Sequence, residues 1–211
     1  MTAPTRRLRQ RAYFRLFGGD SALRTILREG TRVLDVGCSD GRGSEVLSGL
    51  PAAGVDIYRP ALRVAADEGR RTLVCQADVQ FLPYRSGSFD AVVALDVIEH
   101  FEKEDAIRLI AEMERVSRDG VVVMTPNGFA PQDPTEDEPW QEHRSGFEAE
   151  ELRALGYDVV GVGGLSRLRA TYGAFRGGLV GMAAALVTIP YGHRNPASAY
   201  HLLAVKRGLD D

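Results

Sequence analysis

Short aliphatic runs, apolar at successive positions and each followed by a turn and a segment of helical period, most constrain how this chain can fold. Arg32-Val33-Leu34-Asp35-Val36 is stopped by Gly37, and a glycine-rich turn then leads into a helical segment ending near Leu50. Ala53 to Ile57 repeats the pattern with a helix over Pro60 to Glu68, where Pro60 suits a first helical turn. Arg71 to Cys75 follows, with a longer loop behind it. Phe89 to Leu95 reads as a fourth strand, Lys103 to Val116 as an amphipathic helix and Gly120 to Met124 as a fifth strand. Strands apolar on both faces and separated by helices need cover on both sides, which predicts an α/β, doubly wound, mostly parallel sheet with right-handed crossovers.

Further along, Phe147 to Leu155 reads as a helix, Tyr157 to Val162 as a strand and Tyr200 to Lys206 as a last strand. The stretch between those strands, about 37 residues, is too long for a hairpin turn and predicts an insertion with structure of its own. Two helices, over Thr5 to Phe17 and Asp20 to Arg28, are expected before the first strand. No internal repeat or low-complexity linker divides the chain, and 211 residues suit one domain rather than two.

A net charge of -3 offers no global attraction to nucleic acid and argues against it as a partner, leaving local basic patches open. Cys38 and Cys75 lie in apolar runs and read as buried, reduced thiols, too few for a disulfide framework or a four-thiolate zinc site. Five arginines precede position 16 without an apolar core or cleavage site, so the start does not read as a secretory signal, and a cytoplasmic location is expected. The weakly polar run from Gly177 to Pro190 falls short of the roughly 20 residues a spanning helix needs. Together with the N-terminal arginines, its apolar part is compatible with a peripheral membrane contact, against the plainer reading of a helix closing a pocket.

The loop Gly37-Cys38-Ser39-Asp40-Gly41-Arg42-Gly43 follows the first strand, where glycines let backbone approach a ligand at the carboxyl end of the sheet. Its glycine spacing departs from the G-x-G-x-x-G dinucleotide fingerprint. Leu34-Asp35-Val36-Gly37-Cys38-Ser39-Asp40-Gly41 instead resembles the first motif of the class I S-adenosylmethionine-dependent methyltransferases, often Leu-Asp-Val-Gly-Cys-Gly-x-Gly, with Ser39 departing from the commonest form. The resemblance covers roughly residues 31 to 125. It implies a seven-stranded Rossmann-like sheet with an antiparallel last strand, S-adenosyl-L-methionine as cofactor and S-adenosyl-L-homocysteine as product.

By the same resemblance, Asp35, Gly37, Cys38, Ser39 and Gly41 surround the cofactor. Asp56, with Ile57 beside it, accepts the ribose hydroxyls, Asp78 and Val79 hold adenine, and Asp96 and Val97 follow the fourth strand near the cofactor. On the residues alone, Asp56 also reads as a helix cap and Asp78 as a turn aspartate. The chain is accordingly divided into N-terminal helices (1–30), a cofactor-binding core (31–125), a lid loop (126–146) and an insertion before the last strand (163–198). Within the lid, the prolines and glycines around Trp140 predict an extended loop over the pocket.

Methyl transfer needs an aligned acceptor and, for a hydroxyl or amine, removal of a proton. His100 and His143 are the candidate catalytic bases, since imidazole titrates near neutrality; Thr125-Pro126-Asn127 and Gln141-Glu142-His143-Arg144 also fall beside the acceptor. Asp96, Glu99 and His100 at i, i+3 and i+4 would share a face of a helical turn and form a plausible metal cluster. Their Glu-His pair resembles the divalent-metal site of certain 2′-O-methyltransferases acting on RNA and of some quinone O-methyltransferases, with His143 at a comparable downstream place. The same segment occurs without a metal in related enzymes, so a divalent metal is not the favoured expectation. The expected activity is methylation of an oxygen or nitrogen of a small-molecule acceptor. An RNA-modifying methyltransferase and a non-catalytic cofactor-binding or interaction module are the alternatives.

Overall fold

The computed structural model describes residues 27–43, 45–47, 49–134, 139–168, 176 and 178–209. The two expected N-terminal helices lie outside these residues except for Leu27 and Arg28, which are not helical. Seven strands form one sheet: β1 (Val33–Val36), β2 (Ala52–Asp56), β3 (Leu73–Gln76), β4 (Phe89–Leu95), β5 (Ser117–Pro126), β6 (Asp158–Leu165) and β7 (Ala199–Arg207). Their spatial order is β3-β2-β1-β4-β5-β7-β6. The first five run parallel, whereas β7 is antiparallel to both β5 and β6. Strand order therefore reverses between β1 and β4, the place where doubly wound sheets open a crevice at their carboxyl ends.

Alternation along the central strands sends side chains into two cores. Leu34 and Val36 of β1, Val92 and Ala94 of β4 and Val121 and Val123 of β5 join Leu109, Ile110 and Met113 of helix α2 (Lys103–Val116). Val33, Val93, Val122 and Met124 point the other way, against Leu27 and Leu47. Both faces are apolar because both are covered, which is why these strands appear in the sequence as unbroken aliphatic runs. Helix α1 (Arg59–Asp67) starts with proline in its first turn, and the short α3 (Ala149–Ala154) is closed by a reciprocal Glu148–Glu151 capping box. The insertion contains α4 (Gly178–Val187) and α5 (Ile189–Arg194), both packed against β6.

Two expectations need correction. The segment after the glycine-rich loop is no helix running to Leu50: among the described residues it holds only a single 3-10 turn, Glu45–Leu47. Cys75 is half-buried rather than buried, because β3 is an edge strand whose side chains stand mostly in the open; Cys38 is buried, and both thiols are free.

Polar groups tie the sheet together at both ends. At the amino end, Asp90 of β4 accepts the Arg32 backbone N–H at 2.9 Å and the Arg32 guanidinium at 2.8 and 3.2 Å, and Arg118 of β5 joins it. At the carboxyl end, Asp35 and Arg71 form an ion pair in which each side chain is 1% exposed. Arg71 comes from the turn between α1 and β3, so the pair crosses over β2.

The Arg32 guanidinium and backbone N–H hold the Asp90 carboxyl down to about 2. An unfolded aspartate titrates near 3.9, so this contribution to stability is complete above that value and is lost as pH falls through about 2. Asp90→Asn is expected to flatten the acid limb of a stability-versus-pH curve between about pH 4 and pH 2; an unaltered limb would remove Asp90 as its source. Arg71→Ala leaves Asp35 charged and buried without its partner, a change that costs about 3–5 kcal/mol. Denaturant titration should show that loss, with part of it recovered in the Asp35→Asn/Arg71→Met double variant.

Candidate functional site

The loop after β1 is shaped from within and from beneath. Gly37 and Cys38 both donate backbone N–H to the Val55 carbonyl, at 2.9 and 3.2 Å. Gly37 adopts φ +66, and a Cβ there would lie 2.6 Å from a methyl of Val97. Gly41 adopts φ +76, and a Cβ there would meet Arg70 and Arg71. Both positions thus require glycine for their positive φ and for internal packing, rather than only for the approach of a ligand. Ser39, where the resembled motif most often has glycine, also sits at positive φ, +47. A non-glycine residue tolerates this at a cost of about 1–2 kcal/mol, and here the backbone is fixed by a strong partner: Ser39 donates its N–H to Asp56 Oδ2 at 2.7 Å.

Two arginines grip the same loop. Arg71 donates Nε–H to Asp35 at 2.9 Å and reaches the Gly41 carbonyl at 3.4 Å, while Arg70 donates to the Asp40 carbonyl at 2.9 Å. Asp35 and Cys38, expected to surround the cofactor, therefore turn their side chains into the fold. Asp35 is buried against Arg71, and Cys38 is 3% exposed, its thiol pushed up chiefly by burial. What these two residues give the site is the position of its backbone. Asp56 is brought beside the loop as expected, and its other oxygen accepts the Tyr58 N–H at 2.8 Å, just ahead of α1. The helix-entry and loop-holding uses are both present, and each carboxylate oxygen has further accepting capacity. Ile57 next to it is 54% exposed. Asp78 closes a turn by accepting the Gln80 N–H at 2.9 Å while remaining exposed, and Val79 is buried in the core.

After β4, Asp96 takes φ +55, with its N–H held by the Met124 carbonyl at 2.9 Å. Its carboxylate lies 3.5 Å from Nε2 of His201. Surrounding protein pushes the Asp96 carboxyl upward by desolvation, although half of the side chain stays accessible. Ile98–His100 is a 3-10 turn, and Asp96 precedes it. The anticipated grouping of Asp96 with Glu99 and His100 on one helical face therefore does not form. Glu99, His100 and His143 converge instead: one ligand atom from each lies within 4.8 Å of the others.

Glu99 is 1% exposed and accepts the Thr125 hydroxyl at 3.0 Å through Oε2. Its Oε1 is buried with no hydrogen-bond partner among the described residues. Burial, then the nearby Asp96 charge, pushes this carboxyl well above its ordinary range. His100 Nδ1 faces the Glu142 carbonyl at 3.1 Å, and His143 Nδ1 faces the Ala130 carbonyl at 2.6 Å. A carbonyl only accepts, so each Nδ1 carries the hydrogen and a neutral ring keeps its lone pair on Nε2. Burial lowers the pKa of both imidazoles, which favours that neutral form. The two rings meet edge to face, with centroids 4.8 Å apart.

Residues 126–134 and 139–146 carry hydrogen bonds that fasten them to the turn after β4 and to one another. Arg144 and Ser145 donate backbone N–H to the Glu99 carbonyl at 2.8 and 3.1 Å, and His143 donates to Gln132 at 3.0 Å. Trp140 packs on Tyr58, ring centroids 4.6 Å apart, which brings the loop over the end of β2. Asn127, grouped with the acceptor side in sequence, donates from Nδ2 to the carbonyls of Pro196, Ala197 and Ala199 and ties down the insertion. Arg71, Tyr58 and His201 were not anticipated. His201 reaches Asp96 because β7 runs antiparallel, so that its beginning stands opposite Pro126 at the carboxyl edge. Its sequence signal was only a histidine near the start of an apolar strand.

Residues 34–125 match the family model described as a methyltransferase domain. Among curated proteins, the chain is 38% identical over 98 residues to a probable tRNA methyltransferase 9B of Mus musculus, covering 46% of this chain and 22% of that protein. It is 35% identical over 100 residues to methyltransferase GfsG of Streptomyces halstedii, covering 43% of this chain and 35% of the relative. The chain thus spans only about a fifth to a third of the length of these relatives. Its fold is similar to that of a SAM-dependent methyltransferase from Archaeoglobus fulgidus, with a TM-score of 0.57 at 18% identity over 90% of this chain and 93% of the other. The matched segment runs from β1 to β5, contains the clamped loop and is similar over residues 34–125 to the methyltransferase domains of the class I S-adenosylmethionine-dependent superfamily.

Proposed function

We propose that this chain binds S-adenosyl-L-methionine and transfers its methyl group to an oxygen or nitrogen of a small-molecule acceptor, releasing S-adenosyl-L-homocysteine. The observation that carries this reading is the 2.7 Å hydrogen bond joining the Ser39 backbone to Asp56. It holds the glycine-rich loop and the carboxylate ending β2 side by side, next to the β1–β4 boundary where strand order reverses. In this reading the loop backbone cups the amino-acid tail, Asp56 accepts the ribose hydroxyls with its remaining lone pairs, and Ile57, Asp78 and Val79 flank the adenine. The residues at 126–146 cover the ligand from the Trp140 side.

The acceptor then approaches from the ends of β4 and β5, between Asp96 with His201 and the group Glu99, His100 and His143. Transfer is an in-line displacement at an activated sulfonium carbon, so alignment is the protein's main contribution. Nε2 of His100 and of His143 are the basic atoms available to take a proton from a hydroxyl or amine. The cofactor reading and the separate roles of residues 31–125, 126–146 and 163–198 belong to this proposal, as does a cytoplasmic site of action. No described helix is long and apolar enough to cross a membrane.

A second reading, methylation of tRNA, is favoured by the similarity to proteins named as tRNA methyltransferases in mouse and Arabidopsis thaliana. That similarity withdraws the case against nucleic acid that net charge alone had suggested. The small-molecule reading draws on the similarity to methyltransferase GfsG and on the acidic overall balance.

Calorimetry should show one S-adenosyl-L-homocysteine bound per chain, and Asp56→Ala should weaken it about tenfold or more, the loss of roughly 1.4 kcal/mol or more. Absence of binding by the native chain would overturn the enzyme reading in favour of an interaction module. Radiolabelled methyl transfer into a panel of hydroxyl- and amine-bearing small molecules is expected. Label appearing only in bulk tRNA would select the second reading.

A further inference from the structure

We propose that Glu99, His100 and His143 form a binding site for one divalent first-row transition-metal ion, with Asp96 outside the ligand set. Three independent features converge on one point. A buried carboxylate oxygen, Glu99 Oε1, has no partner among the described residues. Burying such a group without a compensating contact is unfavourable, so the oxygen calls for a partner. Two imidazoles face the same point with their ligating nitrogens already selected: each donates Nδ1–H to a backbone carbonyl, Glu142 for His100 and Ala130 for His143. That outer hydrogen bond is the arrangement that orients metal-bound histidines and fixes their tautomer. The third feature is spacing, since the ligand atoms of the three side chains lie within 4.8 Å of one another, within reach of a shared ion after small side-chain adjustments.

The supports of the cluster are themselves fixed. Thr125 donates to Glu99 Oε2, so one carboxylate oxygen is oriented and the other is left toward the histidines. Arg144 and Ser145 bond the Glu99 carbonyl through their backbone N–H groups, which seats His143 beside the turn carrying Glu99 and His100. Two imidazole nitrogens and one carboxylate oxygen suit zinc and its neighbours better than magnesium or calcium, which prefer all-oxygen sets. Three protein ligands leave a position open for an oxygen of a small molecule. Asp96, half of whose side chain is accessible, stands beside the cluster at the edge where an acceptor would approach, so an acceptor carrying a hydroxyl or carboxylate oxygen fits that position. With an ion bound, His100 and His143 serve as ligands instead of proton acceptors.

The metal site stands apart from the cofactor reading, and the experiment separates them. The full chain, stripped with chelator and desalted, is titrated with Co²⁺ followed by visible absorption and with Zn²⁺ followed by calorimetry. One equivalent of each is expected, with cobalt ligand-field bands displaced by Zn²⁺. Glu99→Gln and His143→Asn are each expected to weaken binding about tenfold or more, whereas Asp96→Asn, which removes a neighbouring charge but no ligand, changes it less than either. His143 lies on the loop, so its variant keeps the test decisive where replacement of the buried Glu99 disturbs folding; S-adenosyl-L-homocysteine binding and the unfolding midpoint report that directly. No stoichiometric binding by the native chain, or equal affinity in a folded His143→Asn variant, would overturn the site. Loss of homocysteine-nucleoside binding with intact metal binding would instead count against the proposed cofactor pocket alone.

Discussion

The buried ion pair between Asp35 and Arg71 is the constraint on which the carboxyl end of this sheet depends. Two charges at 1% exposure are tolerable only together, because desolvation penalises each and only the partner offsets it. Their contact joins the end of β1 to the turn before β3. Once the guanidinium is there, it reaches the Gly41 carbonyl, and neighbouring Arg70 reaches the Asp40 carbonyl. The loop is thereby anchored by groups that a ligand need not supply. Asp56 completes the arrangement from β2 by accepting the Ser39 N–H. A loop with two glycines and a serine at positive φ would otherwise have many conformations open to it.

Across the reversal in strand order, the ends of β4 and β5 use different physics. Glu99 is buried for the sake of its surroundings, with Thr125 on one oxygen and the backbone of 144 and 145 on its carbonyl. The loop after β5 is thus fastened to the turn after β4, and the two histidines face each other across that join. Two imidazoles each facing a backbone carbonyl through Nδ1, next to an incompletely bonded carboxylate, make a more specific arrangement than a generic polar patch. Asp96 and His201 form a second, more open edge on the other flank.

The elements with strong periodicity were legible in the residues. Phe89–Leu95 and Lys103–Val116 have the predicted bounds, because an unbroken aliphatic run and an amphipathic stripe each report directly on burial. The stretch from Gly43 to Leu50 was less legible, since a glycine-rich loop and a helical start share composition while differing in how the chain is held. Among site residues, Asp56 and the glycines stood out because their spacing follows a strand end. Arg71 did not, since nothing near it in sequence tells a solvent-exposed arginine from one buried beneath a loop 30 residues earlier.

By itself the sequence determined the doubly wound sheet, its helical cover and the placing of a glycine-rich loop and Asp56 at strand ends, because these follow from local periodicity and turn chemistry. Only the tertiary structure decided that Asp35 and Cys38 turn inward, that Asp96 parts from Glu99 and His100, and that His201 arrives from a distant strand. These outcomes depend on the antiparallel course of β7, on a 3-10 turn in place of a helix and on loop hydrogen bonds across more than 40 residues. Contacts of that kind arise from packing between elements, which no local pattern of residues encodes.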